Sequence, residues 1–287
     1  MKSDARRGVT IVTPTFNRAA ELQQALASVL SQSVLPCEHI ICDNLSEDST
    51  ATVVGDYAAN APFPVVYLRE RDTGMYQAMN RALERATGDS IFVLNDDDQL
   101  HNSEVLRRFG ACLAETGADL VYGDTVWLDP TTQRRQYRRH NQINKATLVH
   151  KSISQQAIIY SKAVFAKCGA FDESFRIAGD YDWLLRAFLK HRIFAVYLNR
   201  PMALCSLGGL SNSSSAADRR GTERRQVIQR WYSEREVKLS GWYRKYLRRF
   251  PFGTALMNCL LPIKLRIRSV RDSGGRLRPD LAALLGF

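Results

Sequence analysis

Several patterns that define common classes of protein are missing from this sequence. Its six cysteines are scattered and no two have CxxC spacing, so a zinc site is not expected. No GxGxxG follows the first apolar run and no GxxxxGK(S/T) occurs, which argues against a dinucleotide-binding protein and a P-loop ATPase. No apolar run approaches the ~20 residues that a membrane span needs. The N-terminus is polar and lacks a signal-peptide pattern, so we expect a cytoplasmic protein.

Negative charge is also in short supply. The chain has 29 acidic residues against 40 Lys and Arg, which gives a net charge of +11 and a pI of about 9.5. Such a balance favours a negatively charged partner, namely nucleic acid, anionic lipid or a phosphorylated substrate. Much of the excess lies in the last third, at Arg219, Arg220, Arg224, Arg225, Arg244, Lys245, Arg248, Arg249, Lys264, Arg266 and Arg268. A localised basic segment predicts an accessory binding surface rather than a basic active site.

The chain does contain a regular alternation of apolar, β-branched runs with amphipathic segments. Runs typical of buried strands occupy residues 9–13, 38–42, 64–68, 90–94 and 119–122. Segments with helical spacing of apolar residues occupy 19–31, 48–57, 75–86 and 104–116. This alternation predicts an α/β domain of three layers, an α/β/α sandwich with a mostly parallel central sheet.

The second half of the chain is less regular. Its pattern predicts a hairpin or loop over 126–150, strands at 156–160 and 193–199, and helices at 161–168 and 181–190. Residues 208–218 are rich in Gly and Ser and predict a flexible linker. We therefore divide the chain into an α/β domain over 1–210 and a linker with a basic extension over 211–287.

Acidic side chains follow two of the predicted strands. Asp43 ends the second strand, and Asn95, Asp96, Asp97 and Asp98 follow the fourth. Because ligands bind at the carboxyl ends of strands in such sheets, these residues can meet at one crevice. Mg²⁺ or Mn²⁺ would neutralise the cluster, taking one or two carboxylates and filling its other positions with substrate phosphate oxygens and water. Three aspartates taken alone are more often a solvated turn, but their position at a strand end favours a metal site.

Two further segments carry candidate functional residues. Gly74 permits an unusual backbone angle or a close approach to a ligand, and Asn80 on the following helix is expected to face the crevice. Asp180 and Asp182 lie at the start of a predicted helix, and Asp180 is the better candidate for a general base. Each feature taken singly also fits an ordinary helix start or N-cap.

Five segments in this order resemble family 2 glycosyltransferases of the GT-A fold. They are VTIVTPTFNR, IICDNLSEDST, GMYQAMNRALERATGD, FVLNDDD and GAFDESFRIAGDYDWLLR, and they span roughly residues 8–210. The resemblance implies a GT-A-like catalytic domain that transfers a sugar from a nucleotide-sugar to an acceptor hydroxyl, with inversion. A UDP-sugar is the expected donor.

The resemblance also implies which residues bind the donor. Asp43 matches the aspartate that hydrogen-bonds the nucleobase, and Asp96 is expected near the ribose. The backbone around Pro14, Thr15 and Phe16 would line the nucleotide pocket, with Phe16 in a place often held by Tyr. Gly74 and Asn80 join this donor-binding set.

The same resemblance assigns the metal and the base. Asp97 is the expected ligand of Mg²⁺ or Mn²⁺. Asn95 occupies the place where many members have the first Asp of a D-x-D motif, which makes Asp98 a competing ligand. Asp180 matches the base that activates the acceptor.

The basic extension has its own pattern. Residues 242–268 mix aromatic and aliphatic residues with Lys and Arg, which is typical of an amphipathic helix lying on an anionic membrane surface. The alternative is that its apolar residues pack on the catalytic domain while its basic residues are solvated. We expect no nucleic-acid partner, because no nucleic-acid-binding motif accompanies the charge.

The sequence therefore favours a glycosyltransferase at the inner face of the plasma membrane, acting on a lipid-linked or polysaccharide intermediate of a cell-surface glycan. A nucleotidyltransferase that makes nucleotide-sugars is one alternative, although TPTFNRAAE is not the Gly-rich basic loop of such enzymes. A non-catalytic binding module is the other. The joint presence of Asp43, Asp97 and Asp180 argues against it.

Overall fold

The computed structural model describes residues 6–129, 131–140, 143–207, 214–247 and 266–270. The strands are β1 Arg6–Thr15, β2 Glu38–Asp43, β3 Val65–Arg69, β4 Gly88–Val93, β5 Gln99–Leu100, β6 Leu120–Leu128, β7 Arg135–Arg138, β8 Ile158–Ser161, β9 Phe194–Ser206 and β10 Arg266–Val270. The helices are α1 Ala19–Leu30, α2 Thr50–Asn60, α3 Met75–Arg85, α4 Val105–Thr116, α5 Lys145–Leu148, α6 Lys162–Cys168, α7 Gly179–Leu185, α8 Ser214–Trp231 and α9 Glu234–Trp242. A 3₁₀ turn covers Gln155–Ala157, and π-helical turns extend α7 and α9 over Arg186–Lys190 and Tyr243–Leu247.

One mixed sheet organises the described residues. Its strand order is β10-β9-β6-β8-β4-β1-β2-β3, with β5 paired to β9 and β7 paired to β6. The ladders from β4 through β1 and β2 to β3 are parallel, as are those of β6, β9 and β10. Strand β8 runs antiparallel between β4 and β6 and joins the two parallel groups. The predicted α/β/α sandwich is confirmed.

Two apolar cores lie on opposite faces of this sheet. Successive side chains of β1 point to opposite faces, so Val12 lies in one core and Ile11 in the other. The core that contains Val12 is completed by α3, α6, α7 and α8, and the other by α1, α2 and α4. Side chains alternate across a strand, and both faces of this sheet are covered by helices. The central strands therefore carry apolar side chains on both faces, which explains their nearly continuous hydrophobic runs in the sequence.

The sheet order decides which residues reach the same edge. Strand β1 lies between β2 and β4, and its last residue, Thr15, pairs with Asp43 at the end of β2. The acidic run of 95–98 begins two residues after β4 ends at Val93. The carboxyl ends of these three strands therefore form one edge, as expected of an α/β sheet that binds ligands there.

The strands and helices predicted from the sequence over residues 9–122 are confirmed. Their ends differ by at most three residues, except that β6 continues to Leu128, six residues beyond its predicted end. The hairpin or loop predicted over 126–150 is a hairpin formed by β6 and β7. The later strands and helices are also found, but β9 continues to Ser206, seven residues beyond its predicted end. The five described cysteines are free thiols and four of them are buried, consistent with packing roles. No helix in the described part of the chain is long and apolar enough to cross a membrane.

The predicted linker and tail need correction. A flexible linker over 208–218 is wrong from residue 214, where α8 begins, and residues 208–213 lie outside the described part. The helix expected over 242–268 is found as far as Leu247, but residues 266–270 form β10, parallel to β9. Residues 248–265 lie outside the described part. The helix prediction was wrong for residues 266–270 because a local pattern of apolar and basic residues does not reveal that the edge of the sheet at β9 is free to pair.

Helices α8 and α9 pack on the α/β domain. Val227 of α8 is fully buried in the core that also contains α3 and α7. The Lys145 ammonium of α5 forms an ion pair with Glu236 of α9, and the Tyr232 hydroxyl donates to the Lys145 carbonyl (2.9 Å). Apolar contact and buried hydrogen bonds thus hold the first part of the predicted extension against the domain.

Asn80 was predicted to face the crevice, but its side chain is buried and bonds to other residues of the protein. Its Nδ2 donates to the Phe171 carbonyl (3.0 Å) and to a Glu173 carboxylate oxygen (2.8 Å), and its Oδ1 accepts from the Phe171 amide (3.0 Å). The buried amide group therefore ties α3 to the 171–173 segment. The prediction failed because helical spacing alone does not decide which neighbour satisfies a buried amide.

Replacing Asn80 should destabilise the fold without affecting ligand binding. Asn80→Ala leaves the buried amide and carbonyl of Phe171 without these partners, so we expect a loss of about 1–3 kcal/mol in the free energy of unfolding, measured in urea. The matched control is Glu84→Ala, an exposed residue of the same helix, for which we expect a change within about 0.5 kcal/mol. Equal stability of the two variants would contradict the tether.

Candidate active site

A cleft of about 800 Å³ opens at the carboxyl edge of the sheet. Eight of the predicted site residues line it: Pro14, Thr15, Phe16, Gly74, Asp96, Asp97, Asp98 and Asp180. Asp43 and Asn80 are not among the lining residues. The cleft thus brings together the acidic run after β4 and the predicted base on α7, two groups more than eighty residues apart in the chain.

Arg18 neutralises part of the acidic run. Its guanidinium lies 3.0 Å from an Asp97 carboxylate oxygen and 3.6 Å from one of Asp96. Burial of the guanidinium tends to lower its pKa, but the two carboxylates outweigh this and raise the pKa of Arg18 above its ordinary value. Arg18 follows β1, so the sheet order places it beside the end of β4. Arg18 was not predicted from the sequence, although a basic residue after one strand and acidic residues after another are a usable signal.

Asp96 and Asp98 are both buried, with pKa values shifted upward. Burial and the charge of Asp97 raise the pKa of Asp96 to about 6. The same causes raise the pKa of Asp98 well above its ordinary value. The Asp98 carboxylate accepts from the Ser206 amide (3.2 Å) and from the Cys205 thiol, both at the end of β9. The hydrogen bonds of Asp98 thus tie the acidic run to β9. Asp97 is therefore the carboxylate of the run that is best placed to meet a ligand in the cleft.

The protein oxygens in the cleft suit a divalent cation only when a substrate supplies further ligands. No group of three or more His, Cys, Asp and Glu side chains within the described ranges could hold a metal ion. Asp97 offers a carboxylate in the cleft, and the nearby Asn95 Oδ1 is a buried oxygen that has no hydrogen-bond partner among the described residues. Mg²⁺ commonly takes one or two protein carboxylates and completes its shell with phosphate oxygens and water. These oxygen donors fit that mode of binding.

Asp180 lies on another wall of the cleft, in a partly buried position at the start of α7. Its Oδ1 accepts from the Tyr181 amide (2.7 Å) and from the Tyr76 hydroxyl (3.2 Å), whose proton is shared with the Ile177 carbonyl (2.8 Å). Burial raises the pKa of Asp180 to about 6, although these hydrogen bonds and the charge of Arg224 favour the ionised form. A carboxylate with this pKa is ionised at neutral pH and has a raised affinity for a proton. It therefore suits a general base.

Gly74 allows the backbone to pass close to the cleft. Its φ of 152° lies in the region that favours glycine, and a Cβ at this position would lie 2.5 Å from the Arg176 guanidinium. The Gly74 amide donates to Asp72 (2.8 Å) just before α3 begins. The backbone angle is of the unusual kind that the sequence analysis expected at this glycine.

Asp43 is buried behind the cleft wall. One of its carboxylate oxygens accepts from the amide and hydroxyl of Ser46 (2.9 and 2.5 Å), and the other accepts from the Tyr67 hydroxyl (2.6 Å). The Arg69 guanidinium lies 3.5 Å from the same carboxylate, while the adjacent Asn44 lines the cleft. In this structure Asp43 therefore orders the loop after β2. Its contact with a nucleobase stays a prediction.

The wall formed by the β6–β7 hairpin and the residues after it is basic. It includes Arg138, Arg139 and Lys151, and the Arg138 guanidinium stacks over the Trp127 ring at 4.1 Å. In the described part of the chain, neither arginine forms an ion pair with a carboxylate. A hairpin or loop was predicted here from the sequence, but a basic wall was not, because the pairing of β7 with β6 decides which side chains face the cleft.

The sequence and the fold were compared with known proteins. Residues 10–175 match the family model described as Glycosyl transferase family 2. A PGL/p-HBAD biosynthesis glycosyltransferase of Mycobacterium bovis (strain BCG / Pasteur 1173P2) is 31% identical over 207 residues, covering 71% of this chain and 79% of that protein.

Solved structures share the fold at lower identity. TarS 1-349 of S. aureus, in complex with UDP-GlcNAc, has a TM-score of 0.60 and 19% identity, covering 81% of this chain and 69% of that one. The mannosyltransferase PcManGT of Pyrobaculum calidifontis, in complex with GDP-Man and Mn²⁺, has a TM-score of 0.61 and 17% identity, with coverage of 90% and 76%. A longer TarS structure is covered over only 36% of its length.

The cleft geometry and these similarities agree with one another. Together they favour glycosyl transfer over the two alternatives that the sequence left open, a nucleotidyltransferase and a non-catalytic binding module. The chain belongs to glycosyl transferase family 2 and is a glycosyltransferase with a GT-A-like fold.

Proposed function

We propose that this glycosyltransferase is an inverting, metal-dependent enzyme that moves a sugar from a nucleotide-sugar to an acceptor hydroxyl. The supporting observation is that a single cleft holds Asp97, beside a cationic Arg18, and Asp180 on a different wall. One wall can receive a charged diphosphate while the other removes a proton. A single displacement needs both functions at the same time.

The base side of the reaction follows from the environment of Asp180. As the acceptor oxygen attacks the anomeric carbon, its proton passes to the Asp180 carboxylate, and the bond from that carbon to the departing diphosphate breaks. The Tyr76 hydroxyl donates to Asp180 and keeps the carboxylate oriented. Attack from the face opposite the leaving group inverts the anomeric configuration, and no covalent intermediate is required.

The donor side uses the acidic run and its neighbours. Asp97 would hold Mg²⁺ or Mn²⁺ together with the diphosphate of the donor, in line with the Mn²⁺ that accompanies GDP-Man in the PcManGT complex. Such a cation supplies positive charge to the leaving group. Arg18 would supply further positive charge on the same side once Asp97 binds the metal.

The nucleotide would lie along Pro14, Thr15 and Phe16 at the end of β1, with Asp96 near the ribose. The Phe16 side chain is 48% exposed although it lines the cleft, which leaves a ring face available for a nucleobase. Gly74 lets the opposite backbone approach the donor. A UDP-sugar is the proposed donor, and the complex of TarS with UDP-GlcNAc supports this class.

The acceptor is proposed to be a lipid-linked or polysaccharide intermediate in the synthesis of a cell-surface glycan. A peripheral position at the inner face of the plasma membrane would bring the cleft to such an acceptor. Trp242 and Tyr246 are 45% and 49% exposed, and the Lys245 ammonium lies 4.9 Å from the Tyr246 ring centre. Exposed aromatic rings beside a cation are typical of an interfacial segment.

Nucleoside diphosphates should protect the protein against heat in a metal-dependent manner. We expect UDP, with Mn²⁺ or Mg²⁺, to raise the melting temperature, because a ligand that binds only the folded state stabilises it. GDP and TDP test the choice of nucleotide, and a panel of UDP-, GDP- and TDP-sugars identifies the donor through nucleotide release. Failure of all three nucleotides to protect at millimolar concentration would contradict the proposal.

Replacing Asp97 should separate metal-dependent from metal-independent binding. For Asp97→Asn we expect turnover to fall by about 10²–10³-fold, because charge stabilisation of the leaving group is lost. The extra thermal protection that Mn²⁺ gives to UDP should also disappear. The control is Asp56→Asn, an exposed acid on α2, which should behave as the unaltered protein. Undiminished Mn²⁺ dependence in Asp97→Asn would exclude this residue as a ligand.

Replacing Asp180 should remove chemistry and leave donor binding intact. Asp180→Asn keeps an oxygen for the Tyr76 hydroxyl but cannot take a proton, so we expect turnover to fall by about 10²–10⁴-fold. In the unaltered enzyme, turnover should decline as the pH falls through about 6, where Asp180 becomes protonated. Thermal protection by UDP and Mn²⁺ should be retained in the variant. Loss of protection together with turnover would contradict the separate roles of Asp97 and Asp180.

A further inference from the structure

Helix α8 contacts the segment that carries the proposed base at three places. Glu223 binds the residues just before α7, Arg224 stacks on Tyr181, and the end of α8 binds Asp182. These contacts lie on both sides of Asp180. The match to the family model ends at residue 175, so α8 lies outside the part of the chain that it covers.

The Glu223 carboxylate binds a row of backbone amides. Its Oε2 accepts from Arg176 (3.2 Å), Ile177 (2.8 Å) and Ala178 (2.9 Å), and its Oε1 also accepts from Arg176 (3.1 Å). Glu223 is only 8% exposed, so these charge-assisted hydrogen bonds are shielded from water. Ala178, the N-cap of α7, has no side-chain cap of its own. Glu223 therefore supplies from another helix the negative group that the start of α7 favours.

A second anchor lies two residues after the base. The side chain of Asp182 is almost fully buried, and its Oδ1 accepts from Trp231 Nε1 (2.8 Å) and from the Arg230 guanidinium (3.0 Å). Between the two anchors, the Arg224 guanidinium lies 4.3 Å from the centre of the Tyr181 ring. Asp180 thus sits on a short stretch of backbone that α8 holds at both ends.

We propose that α8 positions the catalytic base, with Glu223 fixing the backbone before Asp180 and the end of α8 holding Asp182 after it. This inference rests on the proposed role of Asp180 as the base. Glu223 is not among the residues that line the cleft, so it acts through the backbone of Arg176–Ala178, of which Ile177 lines the cleft. A displacement of about 1 Å at a reacting group can cost on the order of 100-fold in rate, so such a restraint matters for turnover.

The test compares Glu223→Gln with Glu236→Gln in the full chain. Both changes neutralise a carboxylate that anchors a C-terminal helix, but the partner of Glu236 is Lys145 on α5 rather than the backbone before α7. Gln at 236 also preserves the capping box of α9. With the donor found in the nucleotide-sugar panel, we expect Glu223→Gln to lower kcat by about 10–100-fold. Its KM for the donor and its thermal protection by UDP and Mn²⁺ should not change, and Glu236→Gln should keep the original kcat.

The Asp180→Asn background separates positioning from general loss of structure. If Glu223 acts through the base, Glu223→Gln causes no further loss once Asp180 has been replaced. An equal loss in both backgrounds, or an unchanged kcat in a folded Glu223→Gln variant, overturns the proposal. High residual turnover of Asp180→Asn itself would instead refute the proposed base, which is a distinguishable result.

Trp231→Phe provides an independent measurement that does not depend on the folding of Glu223→Gln. It removes the indole N–H that donates to Asp182 and keeps an aromatic ring, so kcat should fall while thermal protection by UDP and Mn²⁺ stays unchanged. Trp242→Phe, at an exposed tryptophan of α9, should keep the original kcat. An unchanged kcat in Trp231→Phe overturns the role of α8 in holding the backbone after the base.

Discussion

Like-charge repulsion in the acidic run is the constraint on which the cleft depends. Three consecutive carboxylates after β4 can be held together only if each meets a compensating group. Asp96 and Asp97 share the Arg18 guanidinium, and Asp98 turns instead to the amide and thiol donors at the end of β9. The partners come from separate parts of the chain, so the acidic run is stable only within the completed sheet. The same balance leaves Asp97 facing the cleft.

The proposed base is supported by a different part of the structure. Asp180 lies on α7, outside the sheet, where the Tyr76 hydroxyl of α3 meets its carboxylate and α8 binds the flanking backbone. The two functions proposed for the cleft would therefore rest on separate supports: strand ends for the donor and packed helices for the acceptor.

Two residues at recognisable motif positions have mainly structural contacts. Asn80 ties α3 to the 171–173 segment, and Asp43 orders the loop after β2 through Ser46 and Tyr67. In both cases a buried polar group has found its partners within the protein, as the cost of burying it requires. Proximity to a binding site and direct contact with a ligand are thus separate properties of a motif residue.

The sequence by itself determined the alternation of strands and helices, the acidic run at a strand end and the identity of the base candidate, because periodicity, strand-end position and carboxylate chemistry are local properties. Of the ten site residues that it predicted, eight line the cleft. Only the tertiary structure decided that Arg18 neutralises Asp97, that Asp98 turns to β9, and that residues 266–270 form a strand. It also brought Glu223 and Arg224 to α7 across more than forty residues of chain. These outcomes depend on which elements become neighbours, and the energies that select neighbours come from burial and pairing of groups far apart in the sequence.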